Sequence, residues 1–163
     1  MSSVRTRGEN GVCLVRETRR DRIQGGVPLQ EVRQCRYDEA TITGAEILGL
    51  CEEVSLRDAV LERPRATGTE ARISRCDLLG VRVEGGSLEE LSLVDCTLRE
   101  ARVIRTEVGE LQRCDLYGAS LERVRIHRAL STDFRATLLS GCDLRGADLQ
   151  GSTFARAEFR GCR

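Results

Sequence analysis

Residues 132–161 decide the fold, because they read TDFRA, TLLSG, CDLRG, ADLQG, STFAR and AEFRG in consecutive units of five. The third residue of each unit is Phe or Leu, and a small residue stands two places before it. The central residues are Phe134, Leu139, Leu144, Leu149, Phe154 and Phe159. A period of five fits neither the helical 3.6 nor the strand period of 2, so the chain must turn a corner every five residues.

The same pattern extends toward the N-terminus. Unbroken units run from Ala71 to Glu110 and from Cys114 to Arg128, and looser units cover residues 35–49 and 54–63. Pro, Thr and Gly occur together in residues 64–70, which favours a loop there. Residues 111–113 and 129–131 interrupt the period, and we expect both segments to be corner bulges.

These units resemble the pentapeptide repeat family, whose unit is A-(D/N)-L-x-x. The resemblance covers residues 35–163 and is most specific in the last third. It implies an all-β fold, a right-handed quadrilateral β-helix with about twenty residues per coil. The central residue and the small residue would point inward, and about six coils would give a rod roughly 30 Å long. We expect residues 1–34 to form an N-terminal cap or an irregular first coil.

Composition excludes several classes of chemistry. All 26 basic residues are Arg, one residue is His, and the formal net charge is zero. The absence of Lys excludes Schiff-base and P-loop lysines, and a single His excludes multi-His zinc sites. A neutral chain is not attracted in bulk to nucleic acid or to an anionic membrane. We therefore expect neither direct nucleic-acid binding nor membrane association. Aromatic residues make up only 3%, which suits a narrow interior.

The eight Cys form no CxxC pair, and no apolar run has the length of a signal peptide or a membrane span. We therefore expect a cytoplasmic protein with reduced thiols. When the face count continues through both predicted bulges, one column collects Cys76, Cys96, Ala119, Cys142 and Cys162, and Phe134 lies beneath Phe154. Cys acts as a small hydrophobe in such a column, which is favoured over a redox or metal ladder.

The sequence contains no motif of an enzyme. His127 follows the inward Ile126 and should point to solvent. Five Asp residues precede central positions, where Asp belongs to the family's unit: Asp77, Asp115, Asp133, Asp143 and Asp148. We therefore expect no catalytic residue, no cofactor and no metal.

The predicted face count sorts the outward charges into two stripes. A basic face would carry Arg82, Arg102, Arg105, Arg125 and Arg128, and the neighbouring acidic face would carry Glu89, Glu90, Glu107, Glu110 and Asp133. Segregated charge favours a binding surface, since like charges repel along a stripe. The alternative is a solvated surface that keeps the repeat soluble.

Two functional hypotheses remain open. The chain is similar to the Qnr and MfpA branch of the family. That resemblance implies a mimic of DNA that binds DNA gyrase or topoisomerase IV and protects it from quinolones or natural poisons, as in antibiotic self-resistance. The neutral total departs from that strongly acidic branch. The alternative is a general protein-interaction scaffold with an unknown partner.

The last coil indicates an assembly. The repeat continues to Phe159 and Cys162, so an apolar end of the tube would be exposed. We expect a two-fold, end-to-end homodimer through these residues.

Overall fold

A computed structural model describes residues 22–24, 28–33, 36–68 and 70–163. Fifteen strands follow one another in these residues. They are β1 (Arg22–Gln24), β2 (Pro28–Arg33), β3 (Thr41–Thr43), β4 (Glu46–Glu52), β5 (Val60–Glu62), β6 (Arg65–Ala66), β7 (Arg72–Ser74), β8 (Arg82–Glu84), β9 (Ser87–Val94), β10 (Arg102–Ile104), β11 (Glu107–Gln112), β12 (Ser120–Glu122), β13 (Arg125–Leu130), β14 (Leu138–Ser140) and β15 (Glu158–Arg160). Within these ranges no helix is long and apolar enough to cross a membrane.

All strand pairs are parallel, and each joins one coil to the next. One sheet runs β1-β3-β5-β8-β10-β12-β14-β15, and the other runs β13-β11-β9-β6-β4-β2, with β7 between β4 and β9. A third wall consists of isolated parallel bridges that link Arg36, Ser55, Asp77, Thr97, Asp115, Asp133 and Thr153 in turn. Because the second sheet forms two adjacent walls, each coil has four sides. The predicted all-β quadrilateral β-helix of about six coils is confirmed.

Apolar side chains stack in one column behind each wall. The bridged wall stacks Tyr37, Leu56, Leu78, Leu98, Leu116 and Phe134, all buried. The eight-stranded wall stacks Ile42, Leu61, Val83, Val103, Leu121 and Leu139. These columns consist of the central residues of the five-residue units, so the inward positions were predicted correctly.

The corners have left-handed backbone two residues after an inward residue. Gly118, two residues after Leu116, has a φ of 70°. Arg123, two residues after Leu121, has a φ of 53°. Left-handed backbone is strained for any residue but Gly. The glycines that end many units therefore mark corners, and Arg, Asp, Glu, Ser and Ala occupy the other corners.

One corner is built differently. β4, β9, β11 and β13 pass through it as continuous strands. Leu88 of β9 pairs with Val108 of β11, but Ser92 pairs with Glu110, so β9 carries two additional residues. A side chain on Gly109 would collide with this bulge, since its Cβ would lie 2.1 Å from the Glu89 carbonyl oxygen.

The predicted face count is wrong after residue 110. Leu111 pairs with Leu93 of the preceding coil and with Ala129 of the following coil. Residues 111–113 therefore form a short side of the coil and are not an insertion outside it. Pairing Leu111 and Ala129 buries both side chains and uses their backbone groups, which a protruding bulge would forfeit. Residues 129–131 likewise form a side of the coil and not a bulge, because Ala129 and Leu130 pair with Leu111 and Gln112. Residues 114–128 therefore move one side forward relative to the prediction, and residues from 132 onward move two sides forward.

This correction rearranges the predicted cysteine column. Cys114 follows Cys96 on the bridged wall, since Thr97 bridges to Asp115. Cys142 lies on a different wall, where Asp143 bridges to Arg125. The predicted stacking of Phe134 on Phe154 is confirmed, with ring centroids 5.0 Å apart and planes within 4°.

The segment predicted as a loop takes part in the wall. Pro64 and Ala66 are buried, and β6 pairs with β4 and β9. The small apolar side chains of Pro64 and Ala66 fill the inward positions of this side of the coil. At the N-terminus β1 pairs with β3 and β2 pairs with β4. The remainder of the predicted cap, residues 1–21, 25–27 and 34, lies outside the described residues.

Candidate interaction surface

Among the described residues, the interior of the coils contains a narrow apolar void. The void along its axis has a volume of about 60 Å³, and only apolar side chains line it. Ligand pockets usually measure about 300 Å³ or more. We therefore expect a ligand or partner to contact the outer walls of the described coils.

The Asp residues of the repeat stabilise local backbone turns. One carboxylate oxygen of each accepts a hydrogen bond from the backbone N–H two residues later, at 2.9 to 3.2 Å, in Asp77, Asp115, Asp133, Asp143 and Asp148. This geometry is that of an Asx turn. Side-chain hydrogen bonds from Arg135 and Arg145 also hold the pKa of Asp133 and Asp143 below the usual range. These carboxylates are committed to structure.

The small inward residues satisfy backbone carbonyls. The Thr132 hydroxyl donates to the Leu111 and Leu130 carbonyl oxygens. The Cys142 thiol lies 3.4 Å from the Leu121 carbonyl oxygen and occupies the equivalent place. Burial raises the pKa of Cys142, so its thiol stays protonated at neutral pH. Cys therefore replaces Thr as a small donor, and Cys76, Cys96, Cys114, Cys142 and Cys162 are free thiols.

Four of the five predicted acidic residues meet in one place. Glu89 and Glu90 lie on the β9 bulge, and Glu107 and Glu110 lie on β11. Glu89, Glu90 and Glu110 line an open groove of about 360 Å³ whose floor includes Gly109 and His127. We call Glu89, Glu90, Glu107 and Glu110 the acidic surface. Gly109 permits this arrangement, because the backbone of the β9 bulge lies against it where a Cβ would otherwise be.

Asp133 does not belong to the acidic surface. It lies on the bridged wall between Asp115 and Thr153, where Arg135 binds its carboxylate. The face count placed it wrongly because that count treated residues 111–113 and 129–131 as insertions, although both are sides of the coil.

The predicted basic face is divided between two walls. Arg82 and Arg102 pair side by side on β8 and β10, and Arg105 follows at the corner with its guanidinium 2.8 Å from Glu84. Arg125 and Arg128 instead lie on β13, in register with Glu107 and Glu110. The Arg128 guanidinium is 3.7 Å from the Glu110 carboxylate. Basic residues therefore border the acidic surface on its own wall.

His127 is more enclosed than its position suggested. Its side chain is 34% exposed, and its Nε2 atom is buried with no hydrogen-bond partner among the described residues. This atom lies 4.0 Å from a carboxylate oxygen of Glu89. The imidazole lies one strand beyond Gly109, which has no side chain to cover it. Gly109 is the feature of the sequence that could have indicated this site. Only the pairing of β11 with β13, however, places Gly109 next to His127.

The residues predicted for the dimer interface lie in the last coil. Phe159 is 49% exposed and is one of two large apolar side chains exposed in the described residues. Cys162 is half-buried, and so are Leu144, Leu149 and Phe154, whose ring centroid lies 5.7 Å from that of Phe159. This end of the solenoid is therefore an apolar surface.

Comparison with known proteins supports the repeat. The pentapeptide repeats family model matches residues 131–163 with 8 copies. No curated protein matches the chain. Among solved structures, the chain is similar to HetL from the cyanobacterium Nostoc sp. Strain PCC 7120, a pentapeptide repeat protein involved in heterocyst differentiation regulation. The identity is 16%, the match covers 83% of this chain and 79% of HetL, and the TM-score is 0.38.

Two further structures are similar at this level. Rfr23 from the cyanobacterium Cyanothece 51142 is 17% identical over 73% of this chain and 90% of its own, with a TM-score of 0.32. Full-length QnrB1, a plasmid-mediated fluoroquinolone resistance protein, is 12% identical over 90% of this chain and 92% of its own, with a TM-score of 0.41. The periodic sequence, the stacked four-sided coils and the family match agree: this chain contains pentapeptide repeats, which the family model matches over residues 131–163.

Proposed function

We propose that this protein is a non-catalytic binding protein and that its acidic surface contacts a macromolecular partner. The observation that carries the proposal is the convergence of Glu89, Glu90 and Glu110 on one open groove, with a Glu107 carboxylate oxygen within 4.8 Å of one of Glu89. Like charges so close repel one another, and a positively charged partner would relieve that repulsion. The Asp residues of the repeat are engaged in turns and are not available for this role.

The partner proposed first is an enzyme that binds DNA, DNA gyrase or topoisomerase IV. Carboxylates on a rigid parallel ladder can occupy basic sites that otherwise bind phosphates. The acidic surface spans only β9 and β11, about 5 Å apart. A local contact with such an enzyme therefore suits this neutral chain better than mimicry of DNA along the whole rod. Such binding would protect the enzyme from a quinolone or a natural poison.

Supercoiling by purified gyrase, with and without a fluoroquinolone, tests this partner. We expect the wild-type chain at micromolar concentration to restore supercoiling in the presence of the drug. Glu90→Arg combined with Glu110→Arg should abolish the effect, because it reverses charge in the groove. Glu122→Arg on β12 is the matched control and should retain it. If the wild-type chain neither inhibits gyrase nor restores supercoiling in the presence of the drug, gyrase is refuted as the partner.

A general interaction scaffold is the second candidate. The pairing of Arg82 with Arg102 on the eight-stranded wall favours it, because this places like charges together away from the acidic surface. Affinity capture from the native host should then yield a partner that Arg82→Glu with Arg102→Glu releases. A captured topoisomerase that depends on Glu90 and Glu110 would support the first candidate instead.

We also propose that Phe159 and Cys162 form a homodimer interface in the last coil. The exposed Phe159 ring and the half-buried side chains around it support this proposal. A second copy in a two-fold arrangement would bury the same surface on both chains.

A further inference from the structure

The acidic surface contains a second feature, which does not depend on a macromolecular partner. Glu89, Glu107 and His127 each offer one ligand atom, and these atoms all lie within 4.8 Å of one another. They come from β9, β11 and β13, three strands that are neighbours in the sheet. One imidazole nitrogen and two carboxylate oxygens therefore point into one space.

The environment of the His127 imidazole is a second observation, independent of the distances between the ligand atoms. Its Nε2 atom is buried and has no hydrogen-bond partner within the described part of the chain. A buried polar atom without a partner is costly, and an ion or water usually explains it. The Glu89 carboxylate oxygen is 4.0 Å from this atom, beyond hydrogen-bonding distance. An ion between these two groups would satisfy both.

The local backbone determines the shape of this space. The β9 bulge shifts Glu89 relative to β11, and Gly109, which lines the same groove as Glu89 and His127, allows the bulge backbone to approach β11 closely. Bulges often redirect a side chain next to a functional site. A Cβ at Gly109 would lie 2.1 Å from the Glu89 carbonyl oxygen, so this glycine permits the close backbone approach that the bulge requires.

We propose that Glu89, Glu107 and His127 bind a divalent transition-metal ion, with Zn²⁺ the best fit. Zinc accepts imidazole nitrogen and carboxylate oxygen at about 2.0–2.2 Å, which separates tetrahedral ligands by about 3.3 Å. The exposed Glu89 arm can rotate to close the remaining distance. Two carboxylates neutralise the ion, and a fourth position remains for water. Mg²⁺ and Ca²⁺ prefer oxygen ligands and are disfavoured by the imidazole.

The single His makes a direct test feasible. Tag-free full-length chain with ¹⁵N-labelled His has one imidazole, so its NMR signal reports His127 without interference from thiols. We expect ZnCl₂ to shift this signal and to saturate at one equivalent. Zinc should also raise the thermal unfolding midpoint, since it binds the folded state.

Three glutamine variants define the ligands. Glu89→Gln and Glu107→Gln should each weaken zinc binding by about tenfold or more. Glu90→Gln is the matched control on the same bulge, outside the cluster, and should bind as the wild type does. Circular dichroism without metal verifies that each variant is folded, and Gln preserves the side-chain size.

Two results would overturn the proposal. One is an imidazole signal that does not respond to ZnCl₂ at millimolar concentration. The other is wild-type affinity in either Glu89→Gln or Glu107→Gln, because the site requires both carboxylates. Zinc bound at Cys would leave the imidazole signal unchanged and counts with the first result.

Discussion

At the residue scale, Leu139 shows how one side chain stabilises the coil. It is fully buried between Leu121 and Phe159 on the eight-stranded wall. Leu139→Ala should lower the free energy of unfolding by about 2–5 kcal/mol, because it leaves a cavity among stacked side chains. Leu149→Ala, in the partly buried last coil, should cost less. Urea unfolding measures both, and equal losses would contradict the difference in burial.

Also at the residue scale, the pair of Asp133 and Arg135 predicts a pH dependence. The Arg135 hydrogen bond lowers the pKa of Asp133 in the folded chain, so the pair stabilises the fold above the unfolded pKa of about 4. That stability is lost as the pH falls through the lowered folded pKa. Arg135→Gln should therefore be less stable than wild type near about pH 6, and the difference should shrink in acid.

Urea midpoints across this pH range test the pair. Arg156→Gln is the control, because Arg156 lies on the same wall in the next coil and forms no ion pair with the described residues. A deficit of Arg135→Gln that stays constant into strong acid would show that the carboxylate of Asp133 is not its source.

At the element scale, the β9 bulge and Gly109 depend on each other. Gly109→Ala should destabilise the chain more than Gly118→Ala. The added Cβ at 109 meets the backbone oxygens of Glu89 and Leu91, at 2.1 and 2.8 Å, whereas at 118 the nearest atom is 3.9 Å away. Gly118→Ala should cost about 1 kcal/mol, because its corner is left-handed. Thermal or urea unfolding compares them, and a greater loss at 118 would contradict the collision.

At the scale of the whole molecule, the apolar end predicts assembly. Phe159→Asp should shift the chain from dimer to monomer, since it places a charge in the shared surface. Tyr117→Asp is the control, because Tyr117 is the other exposed large apolar side chain and lies on another wall. Light scattering with circular dichroism separates dissociation from unfolding. A folded Phe159→Asp dimer would refute this interface.

The sequence by itself determined the solenoid. Units centred on residues such as Leu78, Leu98 and Phe134 can bury their central side chain only if the chain turns every five residues. Gly80 and Gly118 marked two of those turns correctly. Such information is local, because each unit contains its own inward residue, its own corner and often its own Asp turn.

Only the tertiary structure decided which outward residues are neighbours. A change of one side in the face count separates Arg125 and Arg128 from Arg82 and places them beside Glu107 and Glu110. The sequence could not resolve that change, because residues 111–113 read equally well as an insertion or as a short side. Parallel pairing of Leu93, Leu111 and Ala129 resolves it, since backbone hydrogen bonding between coils fixes the register. The acidic surface and its contact with His127 follow from that register.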